Sequence, residues 1–477
     1  MRQIYSKDLV SEELKYEYKK SKGGLPKSFW ESYSAFANSS GGYIYLGIEE
    51  TEKRKYTAAG LTEDDIKDLK TQLFNLCNNK EKISVNLLTD NDVEEVKVDD
   101  SYALIVRINK CPIELKPVFV NSNLYQGTYR RNADGDYHCS TEEVNAMIRD
   151  ASPKSLDLEI LEDHDINSLD LDSINQYRNI FASLHPAHPF LRENNERFLE
   201  FIGAARLNKN MEYRATKAGL LMFGYSYRIV YEFSDFFLDY IEVSENSKDR
   251  WTNRIESTSG DWSGNIFAFF NKVVDELSDD IKKPFQISGT QRLDDNDLAK
   301  AVREALCNTL CNADYYIPGG VTIKKYRDKI EFFNPGSLMM DADKMIRGGE
   351  SLPRNKTLLK MFNLIGIGER SGSGIPLIFG TAKEYDLPIP SIEEEYKPDR
   401  SILTFYLEKS KNDENLTKLE TEIIKYLENN GVCSAKEISE ELNKNITTIK
   451  LNLYSLVDKQ IVESSGTIKD KKYFIKK

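Results

Sequence analysis

The sequence predicts an α+β protein built of several domains, and three observations carry that reading. The chain has 477 residues, more than one hydrophobic core ordinarily holds. Strand-like alternation and helical stripes follow one another along it, separated by glycine-rich turns, which is the pattern of a mixed architecture. A charged linker at 408–418 then sets off a last segment of helices and a hairpin. The expected divisions are 1–150, a connector of helices and strands over 151–290, a further unit over 291–407, and a small one over 417–477.

Composition narrows the function classes. Charged residues make up 30% and apolar residues 40%, as in a soluble globular protein, and the net charge is −12. That balance excludes general, charge-driven binding to nucleic acid, so any such binding has to come from local basic patches. No apolar run approaches the ~20 residues that span a bilayer. The N-terminal MRQIYSKDLV lacks the apolar stretch of a signal peptide, so no membrane and a cytoplasmic location are expected. The six cysteines form no CxxC pair, which argues against a zinc ribbon or a dithiol redox site. Cys307 and Cys311, one helical turn apart, read as core packing. His185 and His188 in HPAHPF read as a turn rather than as metal ligands, because prolines flank them.

The elements follow in order. LKYEYK (14–19) alternates as a strand, with Lys15, Glu17 and Lys19 on one face. YSAFAN is the end of a helix, and Gly41-Gly42 reverses the chain into a strand that exits on Glu49 and Glu50. Residues 84–110 read as strand, turn, strand; 117–132 adds short strands; and a helix opens near Thr141, capped by Ser140 or Thr141. The polar stretch 151–172 reads as a connector. TKAGLLMFG (216–224) is a buried helix and FFLDYIEVS (236–244) a strand. A helix from Asp294 to Asp314 precedes the strands VTIKKY and KIEFFNPG, then the loop GIGERSGSGIPLIF leads into a helix, and SILTFYLEK closes the unit as a strand. Beyond the linker, helices at 417–429, 434–438 and 446–460 and a hairpin around Gly466 make a winged helix-turn-helix. Its third helix presents Thr447, Thr448 and Lys450, and its wing Lys471 and Lys472, groups suited to base edges and phosphates. The same surface also suits a protein partner.

Two side-chain sets point to chemistry. A glutamate and a lysine two apart on a strand, joined by a carboxylate from a neighbouring strand, can hold Mg²⁺ or Mn²⁺ and stabilise a phosphoryl transition state. Glu17 and Lys19 supply that pair, and Glu12 joins them if the chain bends; an ordinary solvated strand face is the competing reading. The second set is REALCNTLCNADYY (303–316), in which Glu304 and Asn308 share a helix face and can position water and a magnesium ligand. Asn334-Pro335-Gly336 and Gly372-Ser373-Gly374 are turns whose backbone amides can approach phosphates closely. No GxxxxGK[ST] loop is present, which excludes a Walker-type ATPase.

SEELKYEYK followed by SAFANSSGGYIYLGIEE resembles the Schlafen AlbA-type domain. The matching positions are Glu12, Glu17, Lys19, Ala35 to Asn38 and Gly41-Gly42. The family's later acidic position, usually aspartate, falls on Glu50, and its Tyr-x-Arg element on Tyr129 and Arg131. The resemblance implies a nuclease-like or nucleic-acid-binding domain. Glu12, Glu17 and Glu50 would be its metal ligands, Lys19 would stand beside them, and Arg130 and Arg131 would meet nucleic acid. Residues 303–308, Asp314-Tyr315, Asn334 to Gly336, Arg354-Asn355 and 366–375 resemble the ATP-binding module that follows such domains. That module is a divergent relative of the histidine-kinase and gyrase (GHKL) ATPases, an α/β sandwich often labelled RecG-like. The likeness implies ATP and a divalent cation held by Glu304, Asn308, Asp314, Asn334, Gly336, Arg354, Gly372 and Gly374, with Asn308 on the metal. The family's usual histidine before Arg-Asp-Tyr is Asn312 here.

Two functions follow. One is a metal-dependent nuclease acting on RNA, tRNA or single-stranded nucleic acid under ATP control, in host defence. The other is an ATP-responsive transcriptional regulator that binds DNA through the winged helix, as a homo-oligomer that is at least a dimer. A nucleotide-sensing scaffold for a protein partner is the third reading.

Overall fold

The computed structural model describes residues 2–9, 15–52, 55–132, 135–244, 250–281, 297–368, 372–396, 398–408, 417–442, 444–459, 461–465 and 471–475. Glu12 and Gly466 lie outside these residues.

The N-terminal part is a five-stranded sheet in the order Arg2–Ile4, Val93–Val98, Ser101–Ile108, Gly42–Leu46, Tyr16–Lys19. The helix Lys27–Asn38 connects the parallel neighbours Tyr16–Lys19 and Gly42–Leu46. Its apolar face buries Phe29, Trp30, Tyr33 and Phe36 against Ile44, Leu46 and Leu104 on one side of the sheet. Glycine is required where helix meets strand: a Cβ on Gly42 would lie 2.3 Å from the Phe36 ring. The other sheet face stacks Tyr16 on Tyr43 and tilts Tyr18 against Tyr45 and Tyr56.

The strand after Gly41-Gly42 is shorter than expected. Gly47 sits at φ +99° and ends it, and Ile48–Glu52 then pairs with Lys55–Ala58 in a separate two-stranded sheet. Glu50 therefore rides on a hairpin, not at the exit of the main sheet.

The central part is organised by a six-stranded sheet in the order Trp251–Glu256, Leu238–Val243, Val321–Lys325, Lys329–Pro335, Arg400–Tyr406, Ser391–Glu395. Only Leu238–Val243 and Val321–Lys325 run parallel within it. Helices Asp297–Asn312, Gly374–Glu384, Ile266–Ile281 and Lys356–Leu364 contribute to its packing. One hydrophobic cluster runs from Leu161 to Phe405, so the expected connector and the unit after it share a core. The stretch 151–172 is more than a connector: Ile160–Asp165 forms a three-stranded sheet with Tyr213–Thr216 and Ala205–Leu207. Cys307 and Cys311 are buried in the core, and His185 and His188 pack around Phe181.

At the C-terminal end, helices Lys418–Asn430, Ala435–Glu441 and Ile446–Asp458 enclose their own cluster around Ile423, Ile438, Ile449 and Leu453. A three-stranded sheet, Cys433–Ser434, Lys472–Ile475, Val462–Ser465, closes it. Thr417 and Glu420 form a capping box on the first helix, and Glu420 also takes Lys459 at 2.8 Å. Among the described residues no helix is long and apolar enough to cross a membrane.

Candidate nucleotide cleft

The helix Asp297–Asn312 presents Glu304 and Asn308 one turn apart, with Asn308 Nδ2 donating to Glu304 Oε1 at 3.2 Å. The N-terminus of the helix Gly374–Glu384 packs directly on this pair. A Cβ on Gly374 would lie 2.1 Å from Glu304 Oε1 and 3.0 Å from Asn308 Nδ2, so glycine lets the helix approach without displacing the Glu304 carboxylate. Gly372, at φ +71°, turns the loop against the Glu350 carbonyl. Asn334 stands at the end of the strand Lys329–Pro335. It is buried, and its Oδ1 has no hydrogen-bond partner.

These residues line one cleft, with about 990 Å³ of empty space including its open mouth. Phe332, Leu352, Ile392 and Leu403 make its apolar wall. The arrangement offers an apolar wall, a buried amide whose oxygen has no partner, and a helix N-terminus beside a Glu–Asn pair. Such an N-terminus favours anions. Glu304, Asn308, Asn334, Gly372 and Gly374 thus meet as the sequence suggested. The apolar wall was not anticipated as a site, although the alternation of SILTFYLEK placed Ile402 and Leu403 on a strand.

Asp314, Gly336 and Arg354, expected to hold nucleotide, do not line this cleft. They sit behind it, in a polar seam against the N-terminal part. Arg354 is bidentate to Asp150, at 2.8 Å for both bonds, and its guanidinium also donates to the carbonyls of Asn312 and Ser337. Burial alone would push Arg354 down, but the Asp150 carboxylate, with Asp314 and Asp399 nearby, holds it above its ordinary range. Asp314 accepts from Arg149. Gly336, at φ +100°, lies against the Arg354 guanidinium, where a Cβ would fall 2.8 Å from Nη1.

Arg130 and Arg131 are corrected as well. A nucleic-acid contact needs exposed guanidinium groups, and both are buried. Arg130 pairs with Asp399 across the seam, over the Tyr396 ring. Arg131 donates to Glu17 Oε2 at 2.7 Å, to Asp136 at 3.0 Å and to the Tyr16 carbonyl. Beside the seam, Lys116 is buried with its Nζ on the Asn38 carbonyl, and burial, with Lys110 and Arg130 nearby, brings it down to about 7.

The acidic set near the N-terminus tests whether Mg²⁺ or Mn²⁺ fits. Glu17 and Lys19 are side by side, at 2.6 Å, so Lys19 holds one Glu17 oxygen and Arg131 the other. Glu50 is exposed on its hairpin, and its neighbour Glu49 pairs with Lys20. Among the described residues no group of three or more His, Cys, Asp or Glu side chains is arranged to hold a metal. The donor set that is described does not fit a divalent cation.

On the C-terminal unit, Thr447, Thr448 and Lys450 are exposed on the helix Ile446–Asp458, and so are Leu451 and Tyr454. Lys471 lies over the Tyr454 ring at 5.1 Å, while Lys472, the next residue, is exposed toward Glu437. The helix and the hairpin therefore share one face, whose apolar members were not foreseen.

Residues 12–140 match the family described as "Schlafen, AlbA_2". Residues 319–400 match "Putative ATP-dependent DNA helicase recG C-terminal", and residues 145–239 match a domain family of unknown function. No curated protein matches the chain. Among solved structures, the DIP2311 protein of Corynebacterium diphtheriae aligns at 14% identity over 97% of this chain and 95% of its own, with a TM-score of 0.43. The N-terminal domain of a RecG-related protein from Nitrosomonas europaea aligns at 23% identity over 26% of this chain and 81% of its own, with a TM-score of 0.20. The chain thus joins a segment similar to Schlafen AlbA_2 to one similar to the RecG C-terminal family.

Proposed function

We propose that this chain is an ATP-binding protein directed at nucleic acid, a nucleotide-responsive regulator that engages DNA through a C-terminal winged helix and acts as at least a dimer. The observation that carries the nucleotide half is the buried Asn334 with its unpartnered Oδ1 in the cleft. A buried amide oxygen without a partner is costly, and a base amino group would satisfy it. In this reading the purine lies on the apolar wall, the amides around Gly372 and Gly374 meet the phosphates, and Asn308 faces the divalent cation that accompanies them. The cation would neutralise phosphate charge. Titrating ATP with Mg²⁺ into the full chain tests this: Asn334→Ala should weaken binding at least about tenfold, and wild-type affinity in that variant would overturn it.

The DNA half is supported by the shared face of Thr447, Lys450, Tyr454 and Lys471, since hydroxyls and ammonium groups together can meet base edges and phosphates. Removing residues 417–477 should abolish sequence-specific DNA retention; unchanged retention would sink that half.

A Schlafen-type nuclease is the second reading, favoured by the adjacency of Glu17 and Lys19. Against it, both Glu17 oxygens are already committed to cations. Incubating the protein with RNA and single-stranded DNA in Mg²⁺ or Mn²⁺ separates the two: cutting that Glu17→Ala abolishes would replace the regulator reading.

A further inference from the structure

The segment Asn334 to Leu338 forms part of the cleft wall, through Asn334, Ser337 and Leu338. Its backbone is held from behind at four consecutive residues. The Pro335 carbonyl accepts from the Asp314 N–H at 2.8 Å, and the Gly336 N–H donates to the Asp399 carbonyl at 2.9 Å. The Ser337 carbonyl accepts from Arg354 at 2.9 Å, and the Leu338 N–H donates to Glu394 Oε1 at 2.8 Å.

Each of those four holding residues is in turn bound by the N-terminal part. Arg149 takes Asp314, Arg130 takes Asp399, and Asp150 takes Arg354. Lys110 takes the other oxygen of Glu394 at 2.7 Å, and the Lys110 and Glu394 side chains are largely buried. No local rule produces this coincidence, because the holding residues come from separate points of the chain.

We infer that Lys110, Arg130, Arg149 and Asp150 are positioning residues for nucleotide binding: the N-terminal part sets the wall of the cleft through this strap. The inference rests on the nucleotide reading above. By linkage, a ligand that tightens the wall also tightens the seam, so nucleotide occupancy and the state of the N-terminal part bias each other.

The test uses the full chain and two readouts. Calorimetry measures the affinity for ATP with Mg²⁺, and hydrogen exchange in nucleotide-free protein follows the Gly336 and Leu338 amides. The variants are Lys110→Met and Asp150→Asn, with Lys110→Arg as rescue. Lys70→Met, which removes a pair with Glu95 elsewhere in the same part, is the control. Lys110→Met and Asp150→Asn should weaken ATP at least about fivefold and speed exchange at Leu338 and Gly336, while Lys110→Arg restores both and Lys70→Met changes neither. Unchanged affinity in both seam variants overturns the inference, and so does faster exchange with unchanged affinity. If the wild type binds no ATP, the nucleotide reading falls, and unchanged exchange would then also remove the strap. Asp150→Asn strips a charge from a buried pair, so the more peripheral Lys110→Met decides if that variant fails to fold.

Discussion

Gly374→Ala separates the cleft from the fold around it. The glycine is not in the left-handed region, so alanine meets no backbone objection there. The added methyl, however, would stand 2.1 Å from Glu304 Oε1, 2.8 Å from its Cδ and 3.0 Å from Asn308 Nδ2. An ordinary contact needs about 3.4 Å, so the carboxylate has to retreat by about 1 Å or the helix has to lift. Retreat of a side-chain tip is cheap, and alanine recovers a few tenths of a kcal/mol in a helix, so the net folding cost is about 1 kcal/mol or less. The cleft fares worse, because its Glu–Asn pair and the helix N-terminus lose their registration. A loss of about tenfold in ATP affinity, or about 1.4 kcal/mol, is expected. The assay is calorimetric titration of ATP with Mg²⁺ beside a urea denaturation curve for each protein. Wild-type affinity in Gly374→Ala would refute the placement of nucleotide against Glu304 and Asn308. A large loss of stability would refute the claim that only a side-chain tip is in the way.

Three further outcomes follow from the geometry. Glu17→Gln removes one carboxylate from the Arg131 guanidinium, which is 1% exposed, and should cost about 3 kcal/mol, read as faster hydrogen exchange across Tyr16–Lys19; unchanged protection would show the pair is not needed. Gly42→Ala drives a methyl to 2.3 Å from the fully buried Phe36 ring and should destabilise the N-terminal sheet by about 1–3 kcal/mol, measured by denaturant unfolding. Burial alone would raise Glu420, but hydrogen bonds from Lys459, Ser455 and the Thr417 N–H, with the Lys459 charge, bring it down to about 2. A carboxyl depressed in the folded state stabilises above its unfolded value and ceases to do so as pH falls through its folded one. The C-terminal unit should therefore weaken between about pH 4.5 and pH 2, and Glu420→Gln should flatten that decline in a circular dichroism titration of the full chain.

The parts of the fold legible in the sequence were those with a strong local period. The helix around Glu304 and Asn308 declared itself by spacing, and the strand Lys329–Pro335 by alternation. The Glu–Asn face and the two glycines of the loop were legible because a helix turn and a tight backbone approach are local events. The strand break at Gly47 was not, because an apolar residue continues on its far side and only φ +99° at the glycine ends the pairing. The strand Ile160–Asp165 was missed because its polar sequence carries no apolar alternation; it is held by pairing with Tyr213–Thr216. Glu394, Asp150 and Lys110 carried no signal, since an ion pair across hundreds of residues leaves no mark on either local pattern.

The arginines that lie away from the cleft and from solvent share a physical cause. Arg130, Arg131 and Arg354 were placed toward nucleic acid or nucleotide by the family resemblance; guanidinium groups do bind phosphate bidentately, yet they bind carboxylate by the same fork. Burial decides between the two. A phosphate site needs an approach from solvent, and these groups have none to spare: Asp150, Asp399 and Glu17 already occupy them. The consequence reaches the joint between the two larger parts. Each part closes its own hydrophobic cluster, while the ties across the seam described above are ionic. Replacing such pairs by apolar residues of equal volume is often neutral or stabilising, so their presence is not explained by stability alone. What ion pairs supply and apolar contact does not is a defined geometry with a distinct broken state. Substituting Lys110 and Glu394 together by Met should therefore keep the protein folded but uncouple the N-terminal part from nucleotide, so that ATP no longer alters hydrogen exchange at Lys110 and Cys111. Coupling that survives the double substitution would place the joint elsewhere.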